Sequence, residues 1–269
     1  MKQTPQHNAV EKALEILMAF GAEAPLRGVR DLSAQLGYSP ATVQRILKTL
    51  KAYGFVTQDE KTRSYRLGGV YYRFLHTLQR AHPITEAALV QMQRLSEATG
   101  ETVHLNVIDG DRRLCIETVE SLQPLRASMP IGSRSPLYAG ASSKCLLAFS
   151  EASKIDDYLQ RVSLDAITLA TITRGSVLRS ELTRIREQGY ALSQGEHNPG
   201  LGAMSVPVFN HRGILSAALS LAIPEIRYRD DAHRQFCLAE LLRGAQRLST
   251  EMGYNLTPPP GLDKTVKQP

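Results

Sequence analysis

The sequence predicts an α+β protein in two domains, and three observations carry that prediction. Residues 29 to 68 read as helix, turn, second helix and charged hairpin. Later apolar runs alternate with the two-residue period of strands, and helical stripes are interspersed among them without forming a repeated βαβ array. At 269 residues the chain is long enough to bury two cores. Its charge is unevenly placed: residues 1 to 80 hold 12 Lys and Arg against 6 Asp and Glu, whereas residues 81 to 269 hold 20 against 20. The whole positive excess sits in the first segment, where it attracts phosphate backbones, although RNA or an acidic membrane surface suits the same charge.

Taking the elements in order, Asn8 and Glu11 form a capping box, and Val10, Ala13, Leu14, Leu17 and Phe20 recur at helical spacing, so a first helix covers 9 to 20. A loop containing Pro25 spans 21 to 28. A second helix runs from about 30 to 36, burying Leu32 and Leu36, and Gly37 suits a left-handed cap. Ser39 then caps a third helix, 40 to 53, with Pro40 at its first position. Val43, Leu47 and Leu50 share one stripe with Ile46 beside it, which leaves Thr42, Gln44, Arg45, Lys48 and Thr49 on the remaining surface. Together with Ser39 that polar face suits a DNA major groove, because Gln pairs with adenine and Arg with guanine through two hydrogen bonds each. The same residues also suit an ordinary solvated face. The runs FVTQ and SYRL flank the polar turn 59 to 63 and read as a β-hairpin, so residues 1 to 68 form a winged helix-turn-helix. Lys61, Arg63 and Arg66 are its candidate phosphate contacts, though such charges also keep exposed hairpins soluble.

Residues 69 to 82 read as a connector helix with Val70, Phe74 and Leu78 on one side, and His82-Pro83 breaks the pattern before a longer helix from 84 to 99. A second domain then covers 83 to 256. TVHLNVID and RLCIETVE flank Gly110-Asp111 as a hairpin, and further strands fall near 125 to 131, 190 to 194, 203 to 209 and 214 to 221. Helices fall near 142 to 149, 151 to 160, 177 to 188 and 230 to 252, the last carrying Arg234, Arg243 and Arg247 on a solvated or subunit-facing surface. Residues 257 to 269, with four prolines and no apolar period, read as a disordered tail.

Chemistry-bearing residues are sparse. Cys115, Cys145 and Cys237 are an odd count at wide spacing, which indicates neither a disulfide framework nor a zinc cluster; buried thiols in a reducing cytoplasm are the default. The start MKQTPQHNAVEK lacks an apolar signal core, and no run approaches the roughly 20 apolar residues that span a bilayer, so a cytoplasmic location without a membrane partner is expected. Ser142, Ser143, Lys144 and Cys145 stand together, but with no Ser-x-x-Lys spacing, no G-x-S-x-G elbow and no base partner. Neither an enzyme nor a cofactor is expected. Glu196 and His197 lack a third ligand at suitable spacing, so no metal is expected either. His104 alternates within an apolar strand and suits either a pocket hydrogen-bonder or a satisfied sheet histidine. Ala139 to Ser143 is small and polar immediately before a helix, which suits either a tight capped turn or an anion held by backbone N–H groups.

The order and spacing of AVEKALEILMAF, LSAQLGYSPATVQRILKTLKAYGFV, SYRLG, SPLYAGASSKCLLA, QGYALSQGEHNPGLGAMSVPVF and GILSAALSLAIPEIR resemble the IclR (isocitrate lyase regulator-type) family of bacterial transcription factors over about residues 8 to 254. The resemblance implies a ligand-responsive regulator, on balance a repressor, of a catabolic operon. It implies double-stranded operator DNA as one partner and a small-molecule effector as another. A GAF-like effector-binding domain with an antiparallel sheet is implied after the connector, with assembly as a homodimer or a tetramer built of two dimers. Carried over by motif, the effector residues are Ala141, Ser142, Ser193, Ala203, Ser220 and Ala222, to which His104 is added. Relatives that sense small oxo-acids tend to have Gly, Asp, Cys and a second Ser where this chain has Ala141, Ser193, Ala203 and Ala222. That loss of polar groups implies a larger or more hydrophobic effector, an aromatic or other carboxylate. The reading from another class is a small-molecule-binding module that acts through protein contacts, its winged helix used for dimerisation or docking.

Overall fold

The computed structural model describes residues 8 to 21, 24 to 81 and 84 to 254, so the predicted tail and the His82-Pro83 break lie outside the described residues. Two compact units divide between His82 and Pro83.

In the first unit, α1 (Ala9–Met18) opens on the expected capping box: Asn8 Oδ1 accepts the N–H groups of Val10 and Glu11 while Glu11 accepts that of Asn8. The helix stops two residues before Phe20, which still reaches the core. α2 (Val29–Leu36) ends at Gly37 with φ +73°, and α3 (Pro40–Ala52) begins where Ser39 Oγ accepts the Thr42 N–H. Ile16, Leu32, Val43, Leu47 and Val56 are fully buried where these helices meet. The hairpin pairs β1 (Val56–Gln58) with β2 (Tyr65–Leu67) antiparallel. Arg27 exchanges both backbone hydrogen bonds with Tyr65, so the loop before α2 lies along the hairpin, a contact of long sequence separation that no local pattern encodes. Connector helix α4 (Val70–Ala81) follows.

The second unit begins with α5 (Ile84–Thr99) and continues through β3 (Thr102–Asp109), β4 (Arg112–Val119), β5 (Arg134–Pro136), α6 (Ala141–Ala148), α7 (Ala152–Arg161), α8 (Gly175–Gln188), β6 (Ala191–Gln194), β7 (Leu201–Phe209), β8 (Leu215–Pro224), α9 (Glu225–Tyr228) and α10 (Asp231–Glu251). Its sheet is antiparallel with order β5-β4-β3-β8-β7-β6, so β3 and β8 form the centre although more than a hundred residues separate them. Alternation sorts the side chains. Val103, Leu105 and Val107 of β3 and Leu219 and Leu221 of β8 pack against Met92 of α5 and Leu241 of α10. The opposite face receives α6, on which α8 packs in turn, in a cluster with Leu146, Leu147, Leu182 and Ile185.

One expectation is corrected. The segment 125 to 131 is not a strand, and the edge strand lies at Arg134–Pro136 instead. Pro124 and Pro130 bracket the segment and remove ladder donors, while Leu125 and Ile131 are exposed and only Ala127 is buried. Arg243 and Arg247 are exposed as expected, and Arg247 also donates from Nε to Gln91 Oε1, which ties α10 to α5.

Candidate functional site

Two places collect the residues singled out by sequence. On α3 the side chains of Gln44, Arg45, Lys48 and Thr49 are exposed as one polar face, because the buried stripe Val43, Ile46, Leu47 and Leu50 faces the other way. Thr42 is half-buried, and its hydroxyl meets Ser39 Oγ at 2.9 Å. Ser39 and Thr42 are thus committed to starting the helix, and only part of their hydrogen-bonding capacity faces outward.

In the hairpin, Asp59 Oδ1 accepts from the N–H groups of Lys61 and Thr62 and from the Thr62 hydroxyl. Those bonds hold the Asp59 carboxyl below its usual range. Arg63 takes φ +60° to close the turn, and Lys61, Arg63 and Arg66 are all exposed. The helix face can read base edges, and the hairpin can hold phosphates.

In the second unit the seven residues chosen for an effector line one cleft. His104 comes from β3, Ala203 from β7, Ser220 and Ala222 from β8, Ala141 and Ser142 from the start of α6, and Ser193 from β6. The register explains the grouping: His104 stands opposite Ser220 and Ala203 opposite Ala222, so these inward positions share one face of the sheet. Gly140 enters α6 with φ +92°, a conformation side chains resist, although a Cβ there would meet only His197 Cβ, at an ordinary contact of 3.8 Å. Gly202 admits the Tyr228 ring, to which an added Cβ would come within 2.1 Å.

Sequence reasoning missed the polar floor of this cleft. Arg113 of β4, only 4% exposed, donates from Nε to Ser135 Oγ at 2.7 Å and from Nη1 to Asn106 Oδ1 at 2.8 Å. Asn106 donates onward to Ser220, whose hydroxyl meets Ser205 at 2.8 Å, and Ser135 meets Ser143 at 3.2 Å. A continuous network therefore replaces the polar groups that the motif comparison found missing. The signal was present in the alternation of RRLCIETV, which puts Arg113 on the same face as buried Cys115. His104 is 2% exposed and its Nε2 has no hydrogen-bond partner. Burial first, and the Arg113 charge second, push its pKa down to about 4, so the imidazole is neutral near pH 7. Burial and Arg113 also lower His197, against its hydrogen bond to Asn198 Oδ1, which raises it.

The wall opposite the sheet is held by charge. Lys144 of α6 is buried and donates to Glu196 Oε1 at 2.6 Å, Glu181 Oε1 at 3.0 Å and the Leu192 carbonyl at 3.1 Å. Glu196 Oε2 in turn accepts the Gly140 N–H, and Ser193 Oγ accepts that of Ala141. The Thr168 and Thr171 hydroxyls donate to the carbonyls of Gly195 and Glu196, strapping a second loop over the first. Among the described residues no group of three His, Cys, Asp or Glu stands close enough to hold a metal ion.

Comparison with known proteins follows this division. A family model described as the IclR helix-turn-helix domain matches residues 9–60, and one described as bacterial transcriptional regulator IclR C-terminal matches residues 76–250. The chain is 33% identical over 254 residues to the HTH-type transcriptional regulator KdgR of Escherichia coli (strain K12), covering 94% of this chain and 96% of that one. The crystal structure of the Thermotoga maritima IclR aligns with a TM-score of 0.78 at 29% identity, over 92% of this chain and 99% of that one. An IclR homolog from Microbacterium hydrocarbonoxydans, complexed with 4-hydroxybenzoate, shares the fold at 19% identity and a TM-score of 0.75, over 91% of this chain and 99% of that one.

Proposed function

The chain belongs to the IclR family of bacterial transcriptional regulators, ligand-responsive DNA-binding proteins rather than enzymes, and on that premise we propose that it is the cytoplasmic repressor of a catabolic operon. Gln44, Arg45, Lys48 and Thr49 read base edges, with Ser39 and Thr42 setting the start of their helix, and Lys61, Arg63 and Arg66 hold phosphates. The effector is a small carboxylate with an apolar or aromatic body, seated among Ala141, Ser142, Ser193, Ala203, Ser220, Ala222 and His104. The observation that carries this reading is the coexistence, in one chain, of an exposed polar helix face and a lined internal cleft in a separate unit.

One winged helix reads few base pairs, so useful specificity requires two copies on a repeated half-site. Val10, Leu14 and Met18 of α1 and Tyr72, Leu75 and Leu78 of α4 are exposed apolar side chains that suit burial between copies, as a dimer or a pair of dimers. Effector binding shifts DNA affinity only if it favours one arrangement of the paired winged helices over another.

A salt-dependent mobility shift with the promoter upstream of the chain's own gene tests the proposal. The expected outcome is a specific shift that weakens steeply with salt and is released by an effector. If no specific shift occurs with or without candidate acids, the protein is a small-molecule-binding module that acts through protein contacts.

A further inference from the structure

We infer that Arg113 is the charge anchor of the cleft, so that the effector is an organic anion whose carboxylate pairs with this guanidinium and not with the start of α6. The inference rests on the reading of the cleft as the effector site. Three observations lead to it.

The first is an uncompensated charge. Arg113 is buried, yet its partners Ser135, Asn106 and Met129 are all neutral, and among the described residues no carboxylate lies within ion-pair distance of it. Its bonds use Nε and Nη1 and leave Nη2 for a ligand. Buried cations are ordinarily paired, because neutral hydrogen bonds recover only part of the hydration they lose. The second is that two N–H groups at the α6 start are already taken by the chain itself: Glu196 takes that of Gly140 and Ser193 that of Ala141. The third is the neighbouring wall. His104 offers an unpartnered Nε2 beside the same floor, and the Glu196 carboxylate is bound by Lys144, so it does not compete with the anion for Arg113. An anion supplies the missing counter-charge, whereas a neutral analogue of the same shape leaves the guanidinium unpaired and is rejected.

Calorimetry on the full chain with matched acids and amides tests this, using benzoate against benzamide, 4-hydroxybenzoate against 4-hydroxybenzamide and pyruvate against pyruvamide. Each acid that binds is expected to do so about 30-fold or more tightly than its amide, a preference lost in Arg113→Gln and partly restored in Arg113→Lys. Equal binding of acid and amide, or a preference that survives Arg113→Gln, overturns the inference. Melting of the ligand-free Arg113→Met variant decides the matter even if no acid in the panel binds. A melting temperature at or above that of the parent supports an uncompensated charge, and a lower one makes Arg113 a structural residue and overturns the anchor. The mobility shift is run alongside. Lost acid preference with a retained specific shift defeats the anchor alone, whereas absence of any specific shift defeats the regulator reading.

Discussion

Arg45 and Lys61 carry the same charge, and their surroundings give them different work. Arg45 stands beside Gln44 on an α3 face fixed by a buried stripe, while Lys61 sits on a hairpin turn organised by Asp59. Arg45→Ala is therefore expected to cost about 1–3 kcal/mol on the preferred site and relax selectivity at one base position. Lys61→Ala should weaken all sequences alike and lower the salt slope by about one. Mobility shifts on operator and scrambled DNA check both; uniform weakening by Arg45→Ala would refute the division. His104 gives a second prediction. Its folded pKa of about 4 lies below the ordinary 6.5. Between those values the unfolded chain binds the extra proton, so stability falls as pH drops from about 6.5 towards about 4. His104→Gln should flatten that part of the thermal-stability profile, by at most about 3 kcal/mol. At this scale the sequence showed which residues share the cleft, because the motifs place them, but not Arg113, whose role depends on neighbours from β3 and β5.

At the scale of elements, α6 and the loop after β6 behave as one piece because Lys144 joins them. Its ammonium faces two carboxylates, and burial raises Glu181 less than Lys144 and Arg184 lower it, so Glu181 lies below the usual carboxylate range. Lys144→Met leaves both acids without that partner in a mostly dry setting and is expected to cost about 3 kcal/mol or more in urea unfolding. Since Glu181 is depressed, its stabilisation is present above its unfolded pKa and fades as pH falls through the folded value, so the variant's deficit should shrink in acid. A deficit independent of pH would assign the loss to packing. Helices and turns were legible from capping and period: the Asn8 box, Ser39-Pro40 and Gly37 all act locally. The run 125 to 131 misled because its apolar residues lie between prolines and mostly face solvent, which composition alone does not reveal.

For the whole molecule, the charge asymmetry and the exposed apolar side chains of α1 and α4 point to association on DNA. Leu14→Asp combined with Leu78→Asp is expected to convert the oligomer to a monomer in sedimentation and to abolish the specific shift, while leaving calorimetric acid binding within about threefold. Persistence of the oligomer would place the interface elsewhere. Division into two units was legible from the composition shift near residue 80. The strand order was not, because pairing β3 with β8 is a choice made over more than a hundred residues.

That central pairing also sets an order of events during synthesis. The first unit closes with pairings such as Arg27 with Tyr65 and is complete by about residue 81, whereas the cleft has no floor until β8 has left the ribosome at Pro224 and docked beside β3. At ordinary translation rates the difference is roughly 7 to 30 seconds. A nascent chain can therefore fold the part that reads DNA well before it has anything with which to sense a metabolite.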